Sequence, residues 1–544
     1  MSAASSQDPT TASPPGAPGS GRRRRPPSFV WVGVFLVALV VIIGIIRPFT
    51  AAPVAADAAA SVLYWNRIVS GERLEAFVNL TPKPLLTLVY GVVHSLTHDW
   101  RAVSIVAILV AAAAVTIGAR LAHRVGGAVA AVLAGVLLLL DARMLVEVAW
   151  AYGLPWFLAA IGGAGLALVS RPPRYGLAGL LLLLGALVRP ETFTLLAVAT
   201  VILVVLAARH RLPPRGLLIL VGWGAIPIML AHDQLLAGDP LHWLRVSALW
   251  AGEAGTPSAG RVARALVDML LSHPAVTVMA AVGVAGAWFA PRARVVAIGI
   301  VTVGVGTAAI VLAVGAMGRP IVDHYYSPIW LMMGFSAALG VACTVQTAQS
   351  AWDRRRGRVA AARPGATGGR QGPVGDAAGT RQGGVWRVII PVVAVLIGAV
   401  VLRPLLATGG TLSSIDRERA IAAQSDAVGP RLAEMAATMP VPPSVGPRGF
   451  PDGATYRILV PRFVLSRLAA HFNLPLTLVG PLVPGRPTHG LIHPGVIVYH
   501  DEVLDRGNER ARKFEGSSPV VVEGVTFDLV ANDPPGTWVW QARD

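Results

Sequence analysis

An acid and a base lie in the polar stretch between the first two long apolar segments of the chain. Asp57 follows the first segment closely, and Lys83 stands in a proline-rich turn over residues 81–86. A carboxylate can take a proton from a hydroxyl group, and an ammonium group can neutralise a phosphate. Apolar segments of about 18 residues predict membrane spans, so this loop is expected to hold both groups at one membrane face. The spacing predicts chemistry on a substrate carried by a lipid.

The composition is that of a membrane protein. Of the 544 residues, 54% are hydrophobic and only 14% are charged, which excludes an ordinary soluble enzyme. The net charge of +17 comes largely from arginines beside the apolar segments. Basic residues in such places set membrane orientation, so membrane lipids are expected partners and nucleic acid is not. The single cysteine, Cys343, excludes an intrachain disulfide.

Apolar segments predict an all-α polytopic membrane protein with about 11 transmembrane helices. The segments are 28–46, 102–119, 126–140, 153–169, 175–188, 192–208, 216–236, 275–290, 295–317, 329–346 and 388–407. Arginine clusters in alternate loops place the N-terminus in the cytoplasm. The apolar run 85–96 has only about twelve residues, which is too short to span a bilayer at 1.5 Å per residue. It is predicted to be a re-entrant or interfacial helix on the outer face.

The chain divides into five regions. They are a disordered cytoplasmic tail over 1–27, a transmembrane domain over 28–346, a disordered cytoplasmic linker over 347–387, a final transmembrane helix over 388–407 and an extracytoplasmic domain over 408–544. In the last region short apolar runs alternate with turn signals, which predicts a small α/β domain. The first span resembles a signal peptide, but its apolar run is longer than usual, so an anchor is predicted.

Further polar residues belong to the predicted outer loops. Arg189 directly follows an apolar segment, and placing its charge at the bilayer centre would cost roughly 2.5 to 3.5 kcal/mol. It is therefore expected at the outer end of its helix, with Glu191 in the same turn. Later outer loops add Asp239, His324 and Tyr325.

Short motifs on this face resemble the GT-C superfamily of membrane glycosyltransferases, which includes the protein mannosyltransferases and the lipid A aminoarabinose transferases. The motifs are Asp57 soon after the first span, Lys83-Pro84-Leu85-Leu86, Leu187-Val188-Arg189-Pro190-Glu191, Gly238-Asp239-Pro240-Leu241 and His324-Tyr325-Tyr326-Ser327-Pro328. The resemblance covers roughly residues 28–346. It implies a GT-C-like fold and a sugar donor carried on polyprenyl phosphate.

Two departures from the superfamily pattern concern carboxylates. Asp57 is followed by Ala58 where many relatives have a second acid, and Gly153-Leu154-Pro155 stands where relatives often have Gly-Met-Glu. Both changes remove groups that could bind a metal or orient an acceptor. The sequence therefore predicts no cofactor, and it leaves open both a dependence on a divalent metal and the loss of activity.

The predicted function is transfer of a sugar from polyprenyl phosphate to an envelope glycan, lipid or protein at the outer face of a bacterial cytoplasmic membrane. Asp57 would take the acceptor proton, while Lys83 and Arg189 would hold the donor phosphate. Candidates for substrate binding are Glu191, Asp239, His324 and Tyr325. Glu147 and Asp239 are the alternative acids if Asp57 is not the base.

Two other classes of protein fit the same sequence. A lipid or polysaccharide transporter or flippase would also have many spans, but it usually carries ionisable residues at mid-membrane and repeated halves. The charges of this chain fall in the outer loops, and no inverted repeat is evident. A non-catalytic envelope assembly protein on the same scaffold is the third reading. The sugar, the acceptor and the oligomeric state are not specified by these residues.

Overall fold

The computed structural model describes the predicted transmembrane region almost throughout. The described residues are 27–49, 52, 54, 56–73, 82–245, 259–290, 293–316, 323–361 and 377–439, and in the C-terminal part 456–460, 462–472, 474, 478–481, 491–500, 519–522, 525–532 and 537–543. The predicted tail thus lies outside the described residues except for Pro27. Within the predicted linker, residues 347–361 and 377–387 are helical.

Helices make up most of the described chain. They are α1 Ser28–Ile46, α2 Ala56–Ser70, α3 Pro84–Thr97, α4 Trp100–Leu140, α5 Ala142–Ala149, α6 Leu154–Leu168, α7 Tyr175–Ala186, α8 Thr192–Ala208, α9 Ala225–Ala237, α10 Ala259–Ser272, α11 Pro274–Phe289, α12 Arg294–Ala316, α13 Ser327–Ala361, α14 Ala377–Leu402, α15 Gly409–Thr438 and α16 Arg462–His471. Short 3-10 helices cover Gly216–Gly224, Asp323–Tyr326 and Arg403–Leu405.

The helices are those of a multi-pass membrane protein. Among the described residues, five helices are long and apolar enough to cross a bilayer, or up to seven if each of two bent pairs is one span. All eleven predicted segments are helical, but the structure supports the count of eleven spans only in part. The reason is length: α6, α7, α8 and α11 have 15, 12, 17 and 16 residues.

Helix α4 consists of two antiparallel segments. The backbone of Gly127 leaves the helical region, with φ 75° and ψ −162°, a conformation that only glycine adopts easily. A Cβ atom on Gly118 would lie 2.3 Å from the side chain of Leu138, although twenty residues of straight helix would separate them by about 30 Å. The chain therefore turns back at Gly127, which matches the two predicted segments 102–119 and 126–140.

Glycines bring α11 and α13 into backbone contact. A Cβ atom on Gly283 would lie 1.9 Å from the carbonyl oxygen of Ser336, and one on Gly340 would lie 2.0 Å from that of Met279. Small residues let membrane helices approach this closely, and dispersion contacts between the backbones then hold them together. The buried face of α13 packs against α4 in the same apolar core, which includes Leu137 and Leu339.

The C-terminal part contains a six-stranded sheet. Its strands are β1 Tyr456–Val460, β2 Val479–Pro481, β3 Leu491–His500, β4 Val520–Val522, β5 Val525–Asn532 and β6 Thr537–Ala542. The order is β2-β1-β3-β6-β5-β4. Strand β1 is parallel to β2 and β3, and the other pairs are antiparallel. Since α16 connects β1 to β2, this region has the α/β character predicted for residues 408–544.

Candidate active site

Asp57 and Lys83 form an ion pair at the start of two neighbouring helices. Asp57 lies in the first turn of α2, where the helix dipole favours a negative charge. Lys83 immediately precedes α3, which begins at Pro84 because the fixed φ of proline suits the first helical position. The Lys83 Nζ lies 2.7 Å from Asp57 Oδ2, and their side chains are 14% and 25% exposed. The Tyr152 ring lies beneath the ammonium group, 5.4 Å from Nζ to the ring centroid.

Arg189 is buried beside this pair, in the turn between α7 and α8. Its Nη2 and Nε atoms lie 3.1 and 3.2 Å from Glu191 Oε1, and its Nη1 lies 3.6 Å from Glu147 Oε1. The planar guanidinium can face two carboxylates at once. The backbone N–H of Leu85 donates to the carbonyl of Leu187 at 3.4 Å, which links the start of α3 to the turn that carries Arg189.

Glu147 supplies a carboxylate to the head of α6. It lies on α5 with its side chain 2% exposed, and its Oε2 accepts a hydrogen bond from the backbone N–H of Leu154 at 3.3 Å. The sequence lacks an acid at position 155, but an acid from the preceding helix reaches the same turn. Gly153 makes room there, because a Cβ atom on it would lie 2.5 Å from the Val188 side chain.

Two further predicted residues lie at or near this site. Glu191 is 5% exposed and pairs with Arg189. Tyr325 interacts electrostatically with Arg189 and with Tyr152. His324 belongs to the same 3-10 helix, Asp323–Tyr326, but its side chain lies outside the described residues.

Asp239 lies apart from the ion pair in the described contacts. Its Oδ2 is 2.9 Å from Arg245 Nη1, and the neighbouring Gly238 packs against the guanidinium of Arg73. Arg73 follows the C-terminal end of α2, whereas Asp57 lies at the other end of this 15-residue helix, about 22 Å away along the axis. The structure does not bring Asp239 together with Asp57.

Sequence reasoning did not assign Tyr152 or Glu418 to the site. Glu418 lies on α15 and interacts electrostatically with Tyr152. No local pattern could reveal this proximity, because the two residues are far apart in the sequence and belong to regions predicted as separate domains. Glu147 carried a weak signal, since it is a lone acid in the otherwise apolar stretch from Met144 to Ala149.

Buried polar residues of α9 also contact α3. Thr87 Oγ1 lies 3.2 Å from His232 Nε2, and His232 Nδ1 lies 3.5 Å from Asp233 Oδ1. Asp233 Oδ2 accepts from the backbone N–H of Trp243 at 2.9 Å. Because Thr87 is one turn after Lys83, the contact between Thr87 and His232 helps to hold the helix that presents the lysine. In the described part of the chain, no group of three or more His, Cys, Asp or Glu side chains is arranged to hold a metal ion.

No protein-family model matches the chain, and no curated protein matches it in sequence. The chain is similar to the oligosaccharyltransferase of Archaeoglobus fulgidus in its apo form, with 12% identity and a TM-score of 0.47 over 84% of this chain and 64% of that one. It is also similar to the same organism's AglB in complex with an inhibitory peptide and a dolichol-phosphate, with 13% identity and a TM-score of 0.45 over 83% and 64%. Thus the chain covers about 64% of the length of these archaeal enzymes.

The apo structure of ArnT from Cupriavidus metallidurans matches along nearly its whole length. The identity is 14% and the TM-score 0.47, over 94% of this chain and 98% of that one. The motifs in the sequence resemble the GT-C superfamily, and the structures similar to this chain are those of an oligosaccharyltransferase and of ArnT. The similarity is one of fold.

Proposed function

We propose that this protein is a membrane glycosyltransferase that moves a sugar from polyprenyl phosphate to an envelope glycan, lipid or protein acceptor. The observation that carries the proposal is the Asp57–Lys83 ion pair, which is partly exposed and adjoins the buried Arg189 turn. A carboxylate and a cation in contact can act on the attacking group and the leaving group of one displacement reaction. The carboxylate takes the proton of the attacking hydroxyl group, and the cation stabilises the departing phosphate.

The reaction balances with these two groups. The acceptor oxygen forms a bond to the anomeric carbon, its proton passes to Asp57, and the bond from that carbon to the phosphate oxygen breaks. Polyprenyl phosphate leaves with the bonding electrons. Lys83 has a flexible stem and three donors, so it can turn from Asp57 to an arriving phosphate, which leaves the carboxylate available for the hydroxyl group.

Arg189 is proposed as the second cation for the phosphate. Its guanidinium faces Glu147 and Glu191, so direct contact with the donor requires it to exchange one of these partners. Glu191, Tyr325, His324 and Asp239 remain candidates for substrate binding, and the contacts of Glu191 and Tyr325 favour those two. Tyr152 adds an aromatic face next to the Lys83 ammonium group.

The proposed location follows from the arginine clusters. The N-terminus lies in the cytoplasm, the first span is an anchor, and the Asp57 site opens to the outer face of the cytoplasmic membrane. Residues 408–544 follow the last span on that side and are proposed to bind the acceptor. A sugar carried on lipid phosphate brings its own leaving group, so a site remote from cytoplasmic nucleotides suffices.

Mass spectrometry of a deletion strain tests this function. The strain should accumulate a polyprenyl-phosphate sugar and lack the corresponding envelope glycan. The parent gene should restore the glycan, and Asp57→Asn should not, because turnover falls by roughly 10²-fold or more without the base. Asp99→Asn is the matched control, since Asp99 caps α4 through Arg101 N–H and asparagine caps equally well. Unchanged lipid-linked sugars and glycans in the deletion strain would refute the proposal.

A further inference from the structure

A buried arginine of the C-terminal part holds the backbone that leads into Asp57. Arg467 lies on α16 and is 3% exposed. Its Nη1 donates to the carbonyl oxygens of Ala52 and Val54 at 3.0 and 3.4 Å. These two residues, themselves 3% and 5% exposed, lie just before α2. The guanidinium thus bonds to backbone three to five residues before the proposed base.

Asp426 of α15 fixes the guanidinium from the other side. Arg467 Nε lies 2.7 Å from Asp426 Oδ1, and its Nη2 lies 2.6 Å from Oδ2. This is a bidentate pair, the arrangement in which arginine is most strongly oriented. The pair uses two of the nitrogens and leaves Nη1 for the carbonyls. Trp100 at the start of α4 packs against the guanidinium carbon at 5.1 Å from its ring centroid.

The Ala52 carbonyl also accepts a hydrogen bond from the backbone N–H of Val54 at 2.8 Å, so Arg467 matters most for the Val54 carbonyl. Buried backbone oxygens that lack a hydrogen bond are costly, and these two precede α2. Lysine has a single charged nitrogen on a flexible stem, so it cannot keep a carboxylate in a fork and reach both carbonyls. The arrangement therefore depends on the guanidinium itself and not only on its charge.

The helix α16 also contacts both helices of the ion pair. Asn66 Nδ2 of α2 donates to the carbonyl of Ala470 at 3.2 Å, and His94 Nε2 of α3 lies 3.3 Å from His471 Nδ1. One short helix of the C-terminal part thus abuts the helix that carries Asp57 and the helix that follows Lys83.

We propose that Arg467 is a positioning residue, which sets the place of Asp57 relative to Lys83 through the carbonyl groups of Ala52 and Val54. The inference rests on the proposed function for the role of Asp57 as the base. Arg467 itself touches neither of the two side chains in the described contacts. Through this positioning role, residues 408–544 would influence the rate of the chemical step in addition to any binding of acceptor.

Kinetics of Arg467→Lys test the inference. A displacement of about 1 Å at a reacting group can cost about a hundredfold in rate, so kcat should fall by about tenfold to a hundredfold while the KM for the lipid donor changes less than about twofold. Arg543→Lys is the matched control. Arg543 forms an equally bidentate pair with Asp528 at 2.9 and 2.6 Å on the same sheet domain, and its replacement should leave both constants unchanged.

A labelling measurement reads the position of the backbone without activity. Ala52→Cys is introduced into a Cys343→Ala background, and the purified protein in detergent is treated with a maleimide. Labelling should be slow in the parent, at least about fivefold faster with Arg467→Lys, and unchanged with Arg543→Lys. If the parent transferred no sugar, the proposed function would fail, while this measurement would still decide the inference.

Three outcomes would overturn the inference. They are a parental kcat in Arg467→Lys, a lowered kcat with unchanged labelling at Ala52→Cys, and equal effects of Arg467→Lys and Arg543→Lys. The last result would mean that any lost pair in the domain has the same consequence. Faster labelling together with a lowered kcat in Arg467→Lys alone supports it.

Discussion

At the residue scale, the two proposed phosphate ligands differ in how they are held. Lys83 and Asp57 are both partly exposed, so water screens their interaction more than that of a fully buried pair. Lys83→Gln should therefore lower the melting temperature less than Arg189→Ala does, while it raises the KM for the donor by about tenfold because one positive charge facing the phosphate is lost. Initial rates over a range of donor concentrations measure this. Arg101 is an exposed cation beyond the opposite end of α3, and Arg101→Gln should leave KM unaltered. Equal KM values in the two variants would remove Lys83 from the phosphate site.

Arg189 is different because it is buried between two carboxylates. Removing one partner of a buried pair costs about 3 to 5 kcal/mol, so Arg189→Ala should lose stability as well as donor binding. Adding Glu191→Gln should restore part of that stability, because one uncompensated charge disappears. Detergent-solubilised variants compared by thermal unfolding give the answer. Identical melting temperatures for the parent and Arg189→Ala would contradict the buried-pair account.

Several residues that lie close together in the structure were predicted as site residues, because they are polar side chains of the predicted outer loops. Asp57, Lys83 and Arg189 stand out next to long apolar segments, and Glu191 shares the turn of Arg189. Glu147 was predicted only as an alternative acid, and its contact with Arg189 could not be predicted because sequence spacing does not encode a contact between different helices. Asp239 belongs to the predicted Gly238-Asp239-Pro240-Leu241 motif, but it lies near the end of α2 that is opposite to Asp57.

At the element scale, the contact between α11 and α13 makes a direct prediction. Gly283→Ala should destabilise the protein by about 1 to 3 kcal/mol or more, because its Cβ atom would overlap the Ser336 carbonyl oxygen. Gly304→Ala in α12 is the control, since nothing lies within 4 Å of a Cβ atom there and alanine favours helices by about 1 kcal/mol. Thermal unfolding of both variants is compared with the parent. A Gly283→Ala variant as stable as Gly304→Ala would show that the helices separate at little cost.

The orientation of the helices is tested by single cysteines in a Cys343→Ala background. Gly409→Cys follows the last predicted span and should react with an impermeant maleimide added to intact cells. Gly176→Cys lies at the start of α7 and should react only after the cells are opened. Gly176→Cys labelled from outside would reverse the alternation of the loops and place the Asp57 site in the cytoplasm.

Helix positions followed from hydrophobic runs because burial in lipid requires apolar residues everywhere along a span. Helix lengths did not, since turns such as the one at Leu187 and Val188 shorten the regular part of a segment. The reversal at Gly127 was visible as a gap between apolar runs over 102–119 and 126–140. The strand order of the sheet was not predictable, because β3 pairs with β6 across a long stretch of sequence and no local pattern specifies such pairing.

At the scale of the whole molecule, histidines at the contact with α16 predict a pH dependence. Burial, followed by the charge of His471, lowers the pKa of His94 to about 4, and burial also lowers the pKa of His471. His98, Asp99, Asp426 and Arg467 are the other charged or titratable groups that act on this pair. Unfolded histidine has a pKa of about 6.5, so the unfolded chain binds more protons between about pH 4 and 6.5.

Stability should therefore rise with pH across that window and be lost as the pH falls from about 6.5 towards 4. The melting temperature should drop between pH 7 and pH 5, and the drop should be smaller in His471→Gln, which cannot take up the second proton. His123→Gln, at the contact with Trp31 on α1, serves as the control and should keep the parental dependence. Equal drops in all three proteins would assign the dependence to other groups.

The contact of Arg467 with Ala52 and Val54 also implies that the site is completed late in the synthesis of the chain. Chains emerge from the ribosome N-terminal end first, so the segment before Asp57 is made early and its guanidinium partner very late. A nascent chain that stops near Gly410 contains every predicted span and still lacks this partner. On this view, unfinished copies inserted in the membrane transfer sugar slowly, and full turnover begins only when the C-terminal part has folded against them.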